Sequence, residues 1–184
     1  MKSLMILAVA VIMIIAGIKT CKNLLYPLEY QDIIVKYANE NELDQCLVMA
    51  VIKTESNFVE DAHSGKASGL MQLTDDTASW IASKTDVDID KINLMNPKDN
   101  IRMGCYYLRY LIDYYEGNVD VALAAYNGGM GNVDKWLKDE RYSEDGVNLK
   151  YIPFKETREY VKKVNNECEV YRKMLAAEKK IKNN

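Results

Sequence analysis

The chain has 184 residues, 48% hydrophobic and 28% charged, with a formal net charge of −3. That balance excludes an intrinsically disordered chain, and its acidity excludes a general nucleic-acid binder. The length suits one domain with an appendage, and the four cysteines (Cys21, Cys46, Cys105 and Cys168) are too scattered for a zinc site.

Lys2 precedes an uncharged apolar run, Leu4–Ile18, closed by Lys19. Position, charge and length suit an export signal. No small-x-small cleavage site is evident, and Ile18-Lys19-Thr20 before Cys21 do not suit lipid attachment. As a helix the run reaches about 22 Å, short for a membrane span unless the flanking lysines snorkel. The expectation is an uncleaved N-terminal anchor over residues 1–22 and a linker over 23–29. The folded domain is expected over 30–175, and a basic C-terminal tail over 176–184.

Tyr30–Asn41 carries Ile33, Ile34, Tyr37 and Ala38 on one face, which predicts a first helix. Asp44 suits the cap of a second, in which Leu47, Val48, Val51 and Ile52 recur on one side. Glu55 follows seven residues after Val48, four after Val51 and three after Ile52. At roughly 100° per residue it falls on the apolar side. A carboxyl so placed is partly desolvated, which raises its pKa and suits a general acid; a Glu turned outward into water is the plain alternative.

Asn57–Ser68 reads as polar and irregular, and its His63 lacks partners at ligand spacing, so no metal is expected. Ser68–Leu73 is the only strand-like segment. Within it Gly69 permits a close approach, Leu70 faces inward, and Met71 with Gln72 suits a cleft wall. Thr74 suits a helix cap, with Asp75 and Asp76 in the first turn. Thr85–Leu94 is a polar connection. Asn96-Pro97 opens the clearest helix, with Gly117 as its stop. Ile101, Gly104, Cys105, Leu108, Leu111, Ile112 and Tyr115 form its stripe, and Gly104 there suggests close helix–helix contact. Its tyrosines suit packing. Asn118 opens a helix ending in Ala125-Tyr126-Asn127-Gly128-Gly129, and Trp136 and Leu137 anchor a short one. Tyr142–Leu149 is a polar loop placed to border a groove. After Pro153, Thr157, Val161, Val164, Cys168, Tyr171 and Leu175 make the stripe of a last long helix. The fold class is therefore all-α.

Four segments recur in order: Glu55-Ser56-Asn57-Phe58, Gly69-Leu70-Met71-Gln72, Ala125-Tyr126-Asn127-Gly128-Gly129 and Glu156-Thr157-Arg158-Glu159-Tyr160-Val161. From about Tyr30 to about Tyr171 the chain resembles the catalytic domain of soluble-type (family 1) lytic transglycosylases, relatives of goose-type lysozyme. The resemblance implies a lysozyme-like helical domain with a catalytic groove, acting on peptidoglycan glycan strands without a cofactor. It implies Glu55 as catalytic acid and then base. Ser64, Gly69, Leu70, Met71, Gln72, Ala125, Tyr126, Asn127, Glu156 and Tyr160 are then substrate-binding positions. The bond cut joins N-acetylmuramic acid to N-acetylglucosamine and leaves a 1,6-anhydro end. Ordinary glycoside hydrolysis uses two carboxylates, and the motifs place one. The alternatives are a goose-type muramidase with a second acid, or a non-catalytic wall-binding module. An exported location, anchored at the outer face of the membrane or in the wall or periplasm, and an envelope-spanning assembly as partner, are further implications.

Overall fold

A computed structural model describes Met13 and residues 25–182. The apolar run Leu4–Ile18, apart from Met13, and Cys21 lie outside the described residues. The chain divides into two compact units, Met1–Gln31 and Asp32–Asn184. No described helix is long and apolar enough to cross a membrane.

The elements run α1 (Gln31–Glu40), α2 (Gln45–Glu55), β1 (His63–Ser64), β2 (Ala67–Ser68), β3 (Leu73–Thr74) and α3 (Asp75–Ala82). A 3₁₀ turn (Ile89–Lys91) precedes α4 (Pro97–Tyr114), α5 (Val119–Gly128), α6 (Met130–Leu137) and α7 (Lys155–Lys182). The expected caps form. The Asp44 carboxylate accepts from the Cys46 amide at 2.8 Å, and the Thr74 hydroxyl accepts from Thr77 at 3.1 Å. Asn96 accepts from Lys98 and Asp99 ahead of Pro97. Gly117, at φ 87°, closes the turn after α4.

Among the described elements, α2 against α7 is the most extensive helix contact, and α5 touches α4, α6 and α7. The reason lies in composition. Cys46 to Ile52 contains no polar residue, and all seven side chains are buried. The single apolar face expected for α2 is therefore corrected: this helix is covered all round. On α7, Thr157, Tyr160, Val161, Val164, Cys168 and Tyr171 are buried, and the stripe continues on Met174, not Leu175. The same helix continues through 176–182, the stretch expected as a tail.

Two further expectations change. The segment taken as irregular contains a hairpin, with β1 pairing β2 and β2 pairing β3, all antiparallel. Its two-residue loop is Gly65-Lys66, and only Gly65 takes a positive φ, 60°. That is the backbone a glycine-first hairpin turn needs. The polar connection 85–94 holds the 3₁₀ turn. Cys46, Cys105 and Cys168 are buried free thiols.

Candidate active site

Glu55 is the last residue of α2. The chain then turns sharply through Asn57 and Phe58, both at positive φ, 52° and 66°. Such angles are strained for an asparagine and more so for a phenylalanine. They are held because Phe58 is buried beside Tyr171, ring centroids 6.3 Å apart. The turn sends the chain into the hairpin and back past Glu55 as Gly69-Leu70-Met71-Gln72.

Polar side chains from three helices fix that returning segment. From the end of α2, the Ser56 hydroxyl donates to the Leu70 carbonyl at 2.8 Å. From α4, the Asn100 amide nitrogen donates to the carbonyls of Ser68 (2.9 Å) and Leu94 (2.8 Å), and its oxygen accepts from the Met71 amide at 2.7 Å. From α5, the Tyr126 hydroxyl donates to the Met71 carbonyl at 2.8 Å. Asn100 is 0% exposed. Gly69 sits at φ 77°, and a Cβ there would lie 2.1 Å from the Leu94 carbonyl oxygen, so both space and angle require glycine.

The Met71 side chain is not a cleft wall. It is 0% exposed, and a Cβ on Gly104 would lie 2.2 Å from its sulfur. The close approach expected between two helices at Gly104 is thus made by Met71. Leu70 and Ala125 are likewise fully buried, so these three shape the site from beneath. Gln72, at φ 46°, donates to the Ala62 and Gly69 carbonyls and accepts from the Ser64 hydroxyl at 2.6 Å. Ser64 and Gln72 are thereby locked together.

Glu55 lies between two surface depressions. One, of about 610 Å³, is lined by Glu55, Ser64, Gln72 and Lys163 among others. The second, of about 550 Å³, is lined by Glu55, Asn127, Glu156, Tyr160 and Lys163 among others. Asn127 is oriented by the Thr157 hydroxyl, which donates to its oxygen at 2.8 Å. The loop 142–149 contributes to neither depression.

The electrostatics centre on Glu55. Burial pushes its carboxyl up to about 7, opposed by the Tyr160 hydroxyl and the Lys163 ammonium and assisted by Glu156. Tyr160 is 7% exposed, and its hydroxyl faces Glu55 without closing a hydrogen bond of ordinary geometry. Burial and the neighbouring Glu55 keep both Tyr160 and Tyr126 protonated well past the usual phenol range. No group of three or more metal-ligating side chains occurs among the described residues.

Sequence reasoning missed Asn100 and Ser56 as determinants of the site. The available signal was Asn100, a polar residue beside Ile101 and four before Gly104 in an otherwise apolar stripe.

The site is thus a half-buried, proton-holding carboxyl at a helix end of a mainly helical domain, flanked by two depressions. Residues 32–148 match the transglycosylase SLT domain, and the chain belongs to that family. It is 35% identical over 143 residues to the soluble lytic murein transglycosylase of Escherichia coli K12, covering 76% of this chain and 22% of that protein. It is 29% identical over 169 residues to membrane-bound lytic murein transglycosylase C of Serratia proteamaculans, covering 79% and 47%. The solved structure of an inactive mutant of lytic transglycosylase Slt from Pseudomonas aeruginosa superposes with a TM-score of 0.74 at 33% identity, covering 85% of this chain and 26% of that one. The mainly helical, lysozyme-like class expected from the sequence is the class of that neighbour. The chain spans less than half the length of either curated relative.

Proposed function

We propose that this domain is a peptidoglycan lytic transglycosylase cleaving the β-1,4 bond from N-acetylmuramic acid to N-acetylglucosamine, with Glu55 as acid and then base. The observation that carries the reading is the Glu55 carboxyl, held near 7 by burial at the meeting of the two depressions. A carboxyl still protonated near neutrality can give its proton to the leaving glycosidic oxygen. Once ionised, it can take the proton of the muramic C6 hydroxyl as that oxygen closes onto C1. No water is consumed. The attacking hydroxyl is tethered to the reacting sugar, so proximity replaces a second activated nucleophile. Ser64 and Gln72 on one side, and Asn127, Glu156 and Tyr160 on the other, supply polar groups for hydroxyl and acetamido contacts.

A hydrolytic muramidase needs a second acid to activate water. Asp75 and Asp76 lie in the first turn of α3, and neither lines a depression with Glu55. Glu156, Glu159 and Glu167, which line the depressions with Glu55, are the residues that reading would have to draw on. The test is Glu55→Gln on purified sacculi. The variant should fold as the parent does and lose turnover by at least about a thousandfold, as expected for removal of an acid and a base together. Parent products should carry ends one water lighter than reducing ends; reducing ends would favour the muramidase. The acid form of Glu55 is the reactive one in the free enzyme. kcat/KM should therefore hold below pH 7 and fall as pH rises through about 7.

The apolar run Leu4–Ile18 is proposed to hold the domain at the outer face of the membrane. The name of the membrane-bound relative supports this reading. Its test is membrane fractionation of cells making the full chain against one lacking residues 1–22.

A further inference from the structure

Three lysines border the two depressions beside Glu55: Lys53, Lys155 and Lys163. Lys53 bonds to Asn57, and Lys155 pairs with Glu159 at 3.7 Å. Lys163 has no ion pair among the described residues, and it is the lysine that lines both depressions. It stands three residues after Tyr160 on α7, on the side that faces Glu55. The Tyr160 hydroxyl, buried and without a closed hydrogen bond, lines the second depression with it. The site thus holds, beside Glu55, an ammonium without an ion pair and a hydroxyl that faces the Glu55 carboxyl. Acidic side chains border it as well, Glu156 and Glu159 on one side and Glu167 on the other.

On the transglycosylase reading, the sugar whose C1 is attacked is muramic acid. It differs from its neighbour by a lactyl ether on C3, a few bonds from C1. That lactyl carboxyl is free in glycan stripped of its peptides and becomes a neutral amide when a peptide stem is attached. We propose that Lys163 is a specificity residue that takes the free lactyl carboxylate, so that the domain prefers stem-stripped glycan. An ammonium–carboxylate hydrogen bond is stronger than one to a neutral amide. Because Lys163 is exposed, water partly replaces the lost contact, so the preference is moderate. The flanking Glu156 and Glu167 sharpen the role: without Lys163 the carboxylate keeps these acids as neighbours, while Lys53 and Lys155 are engaged by Asn57 and Glu159.

The test uses the full chain and two substrates: strands cleared of stems by an amidase, and the same strands with the lactyl carboxyl converted to its methylamide. The expected result is a KM about tenfold lower for the carboxylate strands. Lys163→Met should abolish or reverse that difference with kcat changed only a few-fold, and Lys163→Arg should keep it. Equal KM values for the two substrates in the parent would overturn the proposal, as would an equal loss on both in Lys163→Met. Binding of both strands to Glu55→Gln, with and without Lys163→Met, reads the same preference with no turnover. A parent that binds carboxylate strands selectively but releases no anhydro ends would fail the reaction and keep the anchor. Turnover with no selectivity would do the reverse.

Discussion

The two walls around Glu55 are built by different physics. The α2–α7 wall is a seam of apolar side chains, Val48, Val51 and Ile52 against a stripe containing Val161, Val164 and Cys168. Burial is non-directional, so such a seam tolerates small shifts. The wall from Asn57 to Leu73 has little regular structure. It is held by directional bonds from Ser56, Asn100 and Tyr126, and by five residues at positive φ, Asn57, Phe58, Gly65, Gly69 and Gln72. The first wall sets the dryness around Glu55. The second sets where Gln72 and Ser64 stand, and its fixings are few.

That contrast predicts where the domain is fragile. Asn100→Leu removes no volume but orphans the Met71 amide and the Ser68 and Leu94 carbonyls. Each unpaired buried group costs about 1–3 kcal/mol, so the total should reach roughly 3–5 kcal/mol. Val164→Ala, in the apolar seam, deletes two methyl groups and should cost about 2 kcal/mol. Urea unfolding of both variants checks the ranking. If Val164→Ala proved the more damaging, the second wall would not be the fragile one.

The next effect has the opposite sign. Burial raises the Glu55 carboxyl from 4.5 to about 7, so the folded state holds a proton more tightly than the unfolded chain. The stabilisation is complete below pH 4.5 and is lost as pH rises through about 7. A glutamine at 55 has no charge to bury. Glu55→Gln should match the parent near pH 4 and exceed it above pH 8 by up to about 3 kcal/mol. Melting curves at the two pH values read this directly. Equal stability of the two proteins at pH 8 would mean that the carboxyl is not desolvated.

The seam was readable from residue order because burial leaves a period. Asp44, the apolar residues before Glu55 and the 157–171 stripe identified both helices and their facing sides. Even the error over α2 came from reading a helix buried all round as one with a single face. The second wall left a fainter trace. Its bonds join Ser56 to Leu70 and Asn100 to Ser68, contacts across distant stretches that no local period encodes. A short hairpin turned by Gly65-Lys66 offers too few residues for alternation to show. Met71 was misplaced for a related reason. An apolar side chain beside Gln72 suits a groove or a core equally, and the gap at Gly104 decides for the core.

The smallest effects separate two tyrosines that the motifs treat alike. Tyr126 and Tyr160 both face the Glu55 region, and both hydroxyls are buried. Tyr126 donates a 2.8 Å bond to Met71 and so belongs to the directional wall. Tyr126→Phe leaves that carbonyl unpaired and should cost about 1–2 kcal/mol, with reduced turnover because the returning segment shifts. Tyr160 belongs to the apolar seam, and its hydroxyl closes no ordinary hydrogen bond. Tyr160→Phe should therefore leave stability within about 0.5 kcal/mol of the parent. It should still be felt at Glu55, because the hydroxyl is the largest influence opposing the raised carboxyl. The alkaline fall of kcat/KM should move to higher pH in Tyr160→Phe, and its turnover should drop less than in Glu55→Gln. A large stability loss with an unmoved pH profile would place Tyr160 in the packing alone.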